Sequence, residues 1–245
     1  MSLTFPHVVL VDLQPVVVNA LDAAFEPWMR AHAGDPKPAV EVVQADFRTL
    51  LPADAVVTPA NSFGLMDGGF DLAVSVHFGW TLQQSVQEKI LTDFAGEQPI
   101  GTAFLAATGN DDCPFVIHAP TMRVPHSIAL TLNVYYAMKA AVWEAVMDPR
   151  VSRILIPGLG TLSGHVHPDV AARQMELAYR HAYETWDALR SDDGAELLLL
   201  SQAEKWIRAG CRVQTIEQAR DDQYRRDKAM LEHYRASHPL TPAQP

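Results

Sequence analysis

Ala55-Val56-Val57-Thr58-Pro59-Ala60-Asn61-Ser62-Phe63-Gly64-Leu65-Met66-Asp67-Gly68-Gly69-Phe70-Asp71 is the stretch on which the fold turns. It opens on a short β-branched run, stops at a proline and crosses a loop with three glycines. It then leads into a helical pattern over Asp71 to Phe78. A second unit repeats the plan: a strand at Ile154-Leu155-Ile156, a glycine loop from Pro157 to Gly164, and Pro168 at the start of a helix running to about Leu189.

The rest of the chain falls into the same alternation. His7 to Asp12 reads as a buried strand, and Pro15 opens a helix over Val16 to His32. Further strands are expected at Val40 to Val43, Thr102 to Ala107 and Phe115 to Ala119, with helices at Leu82 to Phe94 and Thr131 to Met147. Strands alternating with helices predict an α/β fold with a mixed, mostly parallel sheet. Ser191-Asp192-Asp193-Gly194 marks a break, so residues 1–190 are expected to form one domain and 191–245 a helical C-terminal extension. Within that extension, Leu197 to Ile207 fits helix or strand, four leucines in a row having no clear period, and is read as helix; Ile216 to Tyr234 is expected to be helical, with a frayed end from His238.

The composition fits this plan. The 245 residues are 48% hydrophobic and 20% charged, enough to bury a core and outside the disordered and low-complexity classes. No run of about 18 apolar residues exists, so no membrane span is expected. The N-terminus lacks the basic and apolar regions of a signal peptide. Cys113 and Cys211 have neither disulfide-framework nor metal spacing and read as buried or semi-buried thiols in a reducing cytoplasm.

Net charge is −10. From Gln202 onward there are eight Lys/Arg and six Asp/Glu, leaving 11 basic and 23 acidic residues before it. Such an acidic body excludes non-specific nucleic-acid binding, which needs cations to displace phosphate counterions. An anionic ligand must instead be held by directed groups such as backbone N–H.

The two glycine loops can supply them. Open α/β sheets bind ligands at the carboxyl ends of their strands, and glycine lets backbone approach a ligand closely. The loop at 157–164 lacks the lysine of a phosphate-loop nucleoside triphosphatase. Neither loop has the glycine spacing, helix and distant acid of a dinucleotide-binding dehydrogenase.

Asp54-Ala55-Val56-Val57-Thr58-Pro59-Ala60-Asn61 followed by Met66-Asp67-Gly68-Gly69-Phe70-Asp71 resembles the first motif of macro domains. Phe115-Val116-Ile117-His118-Ala119-Pro120 resembles the family's inner strand, and Ile154 to Thr161 its second ligand loop. Ala45-Asp46-Phe47 stands where the family has an adenine-reading Asp. The ordered set covers roughly residues 40 to 185. The resemblance implies a three-layer α/β/α fold that binds ADP-ribose or an ADP-ribosylated macromolecule, with no metal and no cofactor. It implies that Asp46 accepts from the adenine amino group, that the Phe47 amide serves the ring nitrogen and that Asn61 holds the terminal ribose. Gly68 and Gly69 let the chain pass that ribose and the diphosphate. Gly158, Gly160, Thr161, Leu162, Ser163 and Gly164 form the loop that wraps the diphosphate.

In the hydrolase branch of this family an Asn and an Asp at the spacing of Asn61 and Asp71 act on the ADP-ribose–protein bond, the Asp orienting or activating water. The resemblance therefore implies hydrolysis of ester-type mono-ADP-ribose linkages, with a non-catalytic ADP-ribose reader and an ADP-ribose 1″-phosphate phosphatase as alternatives. This chain departs from the family at Thr58-Pro59, at Met66-Asp67, at Leu162 in place of a glycine and at Gly164 in place of an aromatic.

Each of these residues also has a purely structural reading. Asp46 fits a helix cap near Phe47, Asn61 a turn closed by its own side chain, and Asp71 a first-turn helix acid. His118 fits a core histidine, while His165 and His167 fit solvated loop residues. Trp80, Trp143, Trp186 and Trp206 read as core or interface anchors and Arg220 to Arg226 as a solvated helix face, while the tail helix from Ile216 leaves room for a homo-oligomer.

Overall fold

Runs that are apolar at every position belong in strands covered on both faces, and six strands among the described residues make one such sheet. The computed structural model describes residues 3–34 and 40–190. Chain order is β1 (His7–Asp12), α1 (Pro15–Ala31), β2 (Val40–Gln44), a single 3-10 turn (Phe47–Leu50), β3 (Ala55–Thr58), α2 (Gly69–Phe78), α3 (Thr81–Phe94), β4 (Phe104–Ala107), β5 (Phe115–His118), α4 (Asn133–Met147), β6 (Arg153–Pro157) and α5 (Pro168–Ala188). The sheet order is β2-β1-β6-β3-β5-β4. All pairings are parallel except β4 against β5, so the sheet is mixed with one antiparallel edge.

Side chains alternate between two cores. Val8, Leu10, Val57, Ile117, Ile154 and Ile156 pack with α1, α4 and α5. Val9, Val11, Val56, Val116 and Leu155 pack with α2 and α3. The result is the three-layer α/β/α arrangement.

The boundaries differ from the sequence reading where local hydrogen bonds decide them. Thr102 is in a turn, with its N–H and hydroxyl both donating to the Pro99 carbonyl, so β4 starts at Phe104. α2 starts at Gly69 because Leu72 N–H already reaches the Gly68 carbonyl. α4 starts at Asn133, whose N–H donates to Thr131 Oγ1 at 3.2 Å.

The residue at the N-cap of α4, Leu132, has no side-chain acceptor to offer the next N–H groups. Gln174, buried on α5, supplies one: its Oε1 accepts from Tyr135 N–H (3.1 Å) and its Nε2 donates to the Thr131 carbonyl (3.0 Å). Gln174→Leu strands both groups, and a buried unsatisfied polar group costs about 1–3 kcal/mol. We expect a loss of that size in urea unfolding, and an unchanged midpoint would show that α4 needs no such cap.

His118 is a core residue, fully buried with Nδ1 on Gln98 Oε1, and burial lowers its pKa to about 3. Cys113 is a buried free thiol that burial pushes up to about 12. Trp186 anchors the core through Nε1–H to the Leu3 carbonyl (3.0 Å), but Trp80 is 54% exposed and is no core anchor. Among the described residues, no helix is long and apolar enough to cross a membrane. Cys211, Trp206, the Arg220–Arg226 run and the expected C-terminal helices lie outside the described residues.

Candidate functional site

The chain leaves β1 toward β2 through α1 on one face, and leaves β3 toward β5 and β4 through α2 and α3 on the other. These diverging connections open a crevice over the carboxyl end of β6, which lies between β1 and β3. That is where an open α/β sheet binds ligands. The two glycine loops follow β3 and β6, which are neighbours, and they line one cavity together.

Asn61 shapes the first loop. Its Oδ1 accepts from the N–H of Phe63 (3.0 Å) and of Leu65 (3.4 Å), and its Nδ2 donates to the Leu65 carbonyl (3.2 Å). This is the turn-closing role, and it leaves one Nδ2 hydrogen uncommitted among the described residues. Ser62 N–H binds the Met122 carbonyl, which ties the loop to the segment after β5. Met66 is fully buried, with its N–H on Gln83 Oε1 (2.8 Å) and its carbonyl on Ser75 Oγ (2.8 Å).

The loop then delivers Gly68 and Gly69 to the start of α2. Helix starts carry unpaired N–H groups and the positive end of the dipole, and here Gly69, Phe70 and Asp71 at the start of α2 line the cavity. Asp71 is 8% exposed, and its Oδ1 accepts from Ala60 N–H at 3.2 Å. Burial pushes its carboxyl up to about 7, against the lowering pull of the Ala60 amide and its own.

The second loop folds on itself. Val166 N–H binds the Gly160 carbonyl, His165 N–H binds the Leu162 carbonyl, and the Gly164 carbonyl accepts from Ile128 N–H (2.8 Å). Gly160 sits at φ +72, where a side chain would also strike Val134. The amides of Leu162, Ser163 and Gly164 have no acceptor among the described residues, and these three residues line the cavity. Thr161 lines neither cavity described here; its hydroxyl donates to the Gly158 carbonyl.

A second cavity, of about 250 Å³, adjoins the first, of about 100 Å³. Asp46 and Phe47 line it, together with Gly69, Phe70, Gly158 and Leu162, which line both. Asp46 caps the 3-10 turn by accepting from Arg48 N–H (3.0 Å), and its carboxylate also takes both Nε and Nη2 of Arg48. The Arg48 guanidinium holds its pKa at about 2, so Asp46 is ionised and already paired. Phe47 is buried against Phe70, with ring centroids 5.3 Å apart.

Sequence reasoning missed Asp12 at the end of β1. It lines the larger cavity, accepts from Gln14 N–H (2.8 Å) and from the Gly158 amide, and burial raises its pKa. The available signal was an acid ending a buried strand at the edge that carries the glycine loops. Thr121, Met122 and Pro125 after β5 were also missed.

No Lys or Arg lines either cavity among the described residues. No trio of His, Cys, Asp or Glu converges on a metal position among them. His165 is an exposed loop residue at φ +51, and His167 caps α5 by accepting from Asp169 N–H (3.4 Å).

Comparison with known proteins bears on this arrangement. The family profile described as Macro domain matches residues 57–175. An uncharacterized protein of Aquifex aeolicus (strain VF5) is 36% identical over 137 residues, covering 56% of this chain and 78% of that protein. Among solved structures, the macrodomain of Mycobacterium tuberculosis DarG is 20% identical at a TM-score of 0.44, covering 53% of this chain and 82% of that one. The Oceanobacillus iheyensis macrodomain with ADP is 22% identical at a TM-score of 0.44, covering 52% and 68%. The profile match runs from the last two residues of β3 through both glycine loops, β4, β5 and β6, and on that ground the chain belongs to the macro domain family.

Proposed function

We propose that this chain binds ADP-ribose and hydrolyses ester-type mono-ADP-ribose linkages. The observation that carries the reading is the paired cavities. A base-side compartment and an Asp71-side compartment meet at Gly69, Phe70, Gly158 and Leu162, and of these Gly69, Phe70 and Leu162, from the two glycine loops and the start of α2, have amides with no acceptor among the described residues. A dianionic diphosphate at the junction would be held by oriented N–H groups and the α2 dipole, with no cation needed. The acidic body argues for the same device.

In the smaller compartment Asp71 faces where the terminal ribose would lie. A carboxyl with a pKa near 7 suits a general base at neutral pH. Water attacks the anomeric carbon, Asp71 takes its proton, and the C–O bond to the acceptor breaks with the electron pair leaving on the carboxylate. The uncommitted Nδ2 hydrogen of Asn61 would meet a ribose hydroxyl. The engagement of Asn61 in its own turn favours a second reading, that of a non-catalytic reader, because a catalytic Asn would have more of its side chain free.

Calorimetry with ADP-ribose, followed by release of ADP-ribose from a protein modified on acidic side chains, tests the proposal. Micromolar binding with turnover is expected. Binding without turnover would establish the reader, and no heat at millimolar ligand would end both readings.

A further inference from the structure

The two compartments meet at Gly69, Phe70, Gly158 and Leu162, and of these Leu162 is the one from the second glycine loop that reaches across to the first. Leu162 lines both, and its Cδ1 lies 3.4 Å from where a Cβ on Gly69 would sit, so it reaches from the second glycine loop across to the first. Neither compartment alone reaches the roughly 300–1,000 Å³ that drug-sized ligands occupy. A ligand with a nucleoside at one end and a second sugar at the other needs both compartments at once. Its diphosphate would have to pass where the Leu162 isobutyl group now lies, and an apolar group there offers the phosphates no hydrogen bond to replace lost water.

Leu162 is also 50% exposed, so its outward face meets solvent and no packed layer covers it. An outward swing would take the side chain from its contact with the first loop toward solvent. Such a swing would uncover the Leu162 amide at the junction and join the two spaces.

We infer that Leu162 is a specificity-determining gate: closed, it leaves a base-side compartment fit for a mononucleotide, and only its displacement admits a diphosphate-bridged ligand across the cleft. This rests on the reading of the cleft as an ADP-ribose site and adds what decides between short and bridged ligands there. Displacement is a conformational tax on the bridged ligand alone, which lowers its apparent affinity by the fraction of open molecules.

The test compares AMP and ADP-ribose binding to the full chain and to Leu162→Ala and Leu162→Phe, with association rates by stopped flow. Leu162→Ala is expected to bind ADP-ribose about tenfold more tightly, the factor for a gate open about one time in ten, and to associate faster. AMP affinity should move by no more than about twofold, and Leu162→Phe should slow ADP-ribose association. Weaker ADP-ribose binding by Leu162→Ala would overturn the gate and make Leu162 a ligand contact, while leaving the ADP-ribose reading intact. Equal gains for AMP and ADP-ribose would also overturn it. Failure of all three proteins to bind either nucleotide would overturn the gate together with the ADP-ribose reading itself.

Discussion

Asp71→Asn is expected to lower release of ADP-ribose from an ester-modified protein by at least about 100-fold, the lower end of what a general base contributes. Asparagine keeps the shape of the side chain, and its Oδ1 can still accept the Ala60 amide that Asp71 holds at 3.2 Å. What it loses is the capacity to take a proton from water. ADP-ribose affinity should therefore stay within a few-fold, which separates catalysis from a collapsed pocket. In the wild type, turnover should rise with pH as the carboxyl ionises near 7 and then level off, whereas residual turnover in the variant should lack that rise. Equal turnover in both proteins would remove Asp71 from the chemistry.

The same carboxyl makes a stability prediction whose sign is fixed. Its folded pKa of about 7 lies above its ordinary value of 3.8, so the folded state holds a proton that the unfolded chain has lost. Stability is then greatest below about pH 4 and declines as pH rises toward 7, by as much as ~4 kcal/mol from this group. Urea midpoints between pH 4 and 8 should show that decline in the wild type and a flatter profile in Asp71→Asn. Parallel profiles would mean the buried acid ionises as it does in water.

The fold was legible because its strands are buried on both faces. Val8 to Val11 and Ile154 to Ile156 are apolar without a break, which only a covered parallel sheet requires, and each run is followed by a glycine loop or a proline-led helix. The juxtaposition of the two loops followed from the same logic, since parallel strands send all their carboxyl ends to one edge. What stayed hidden depends on which strand lies beside which. Asp12 enters the larger cavity only because β1 lies between β2 and β6, a fact of strand order that no local pattern carries. The pairing of Asp46 with Arg48 was within reach, two residues apart, yet a rotamer decides it. Leu162 was recognisable as a departure from glycine. Its reach to Gly69 depends on the distance between two loops separated by more than ninety residues. Trp80 shows the opposite limit: a large aromatic reads as a core or interface anchor, and its place between α2 and α3 takes it out of the core.

Gly164→Ala is expected to cost about 1–3 kcal/mol, the scale of overpacking, and to weaken ADP-ribose binding by at least about tenfold through loss of the loop's shape. A Cβ at Gly164 would lie 2.5 Å from the Gly160 carbonyl oxygen and 2.8 Å from Ile128 Cγ1. The first neighbour is backbone and is fixed in turn, since the Gly160 carbonyl accepts from Val166 N–H and the Gly164 carbonyl from Ile128 N–H. Relief therefore requires the second loop to open, and opening it scatters the Leu162 and Ser163 amides that the diphosphate would need together. Gly68→Ala is the matched control: nothing lies within 4 Å of a Cβ there and its backbone is extended, so stability should change by only about 0.5 kcal/mol. Urea unfolding and calorimetry on the two variants separate the roles of the loops. If Gly164→Ala unfolds early yet binds ADP-ribose like the wild type, the second loop is a structural turn, and the diphosphate must be held by the start of α2 alone.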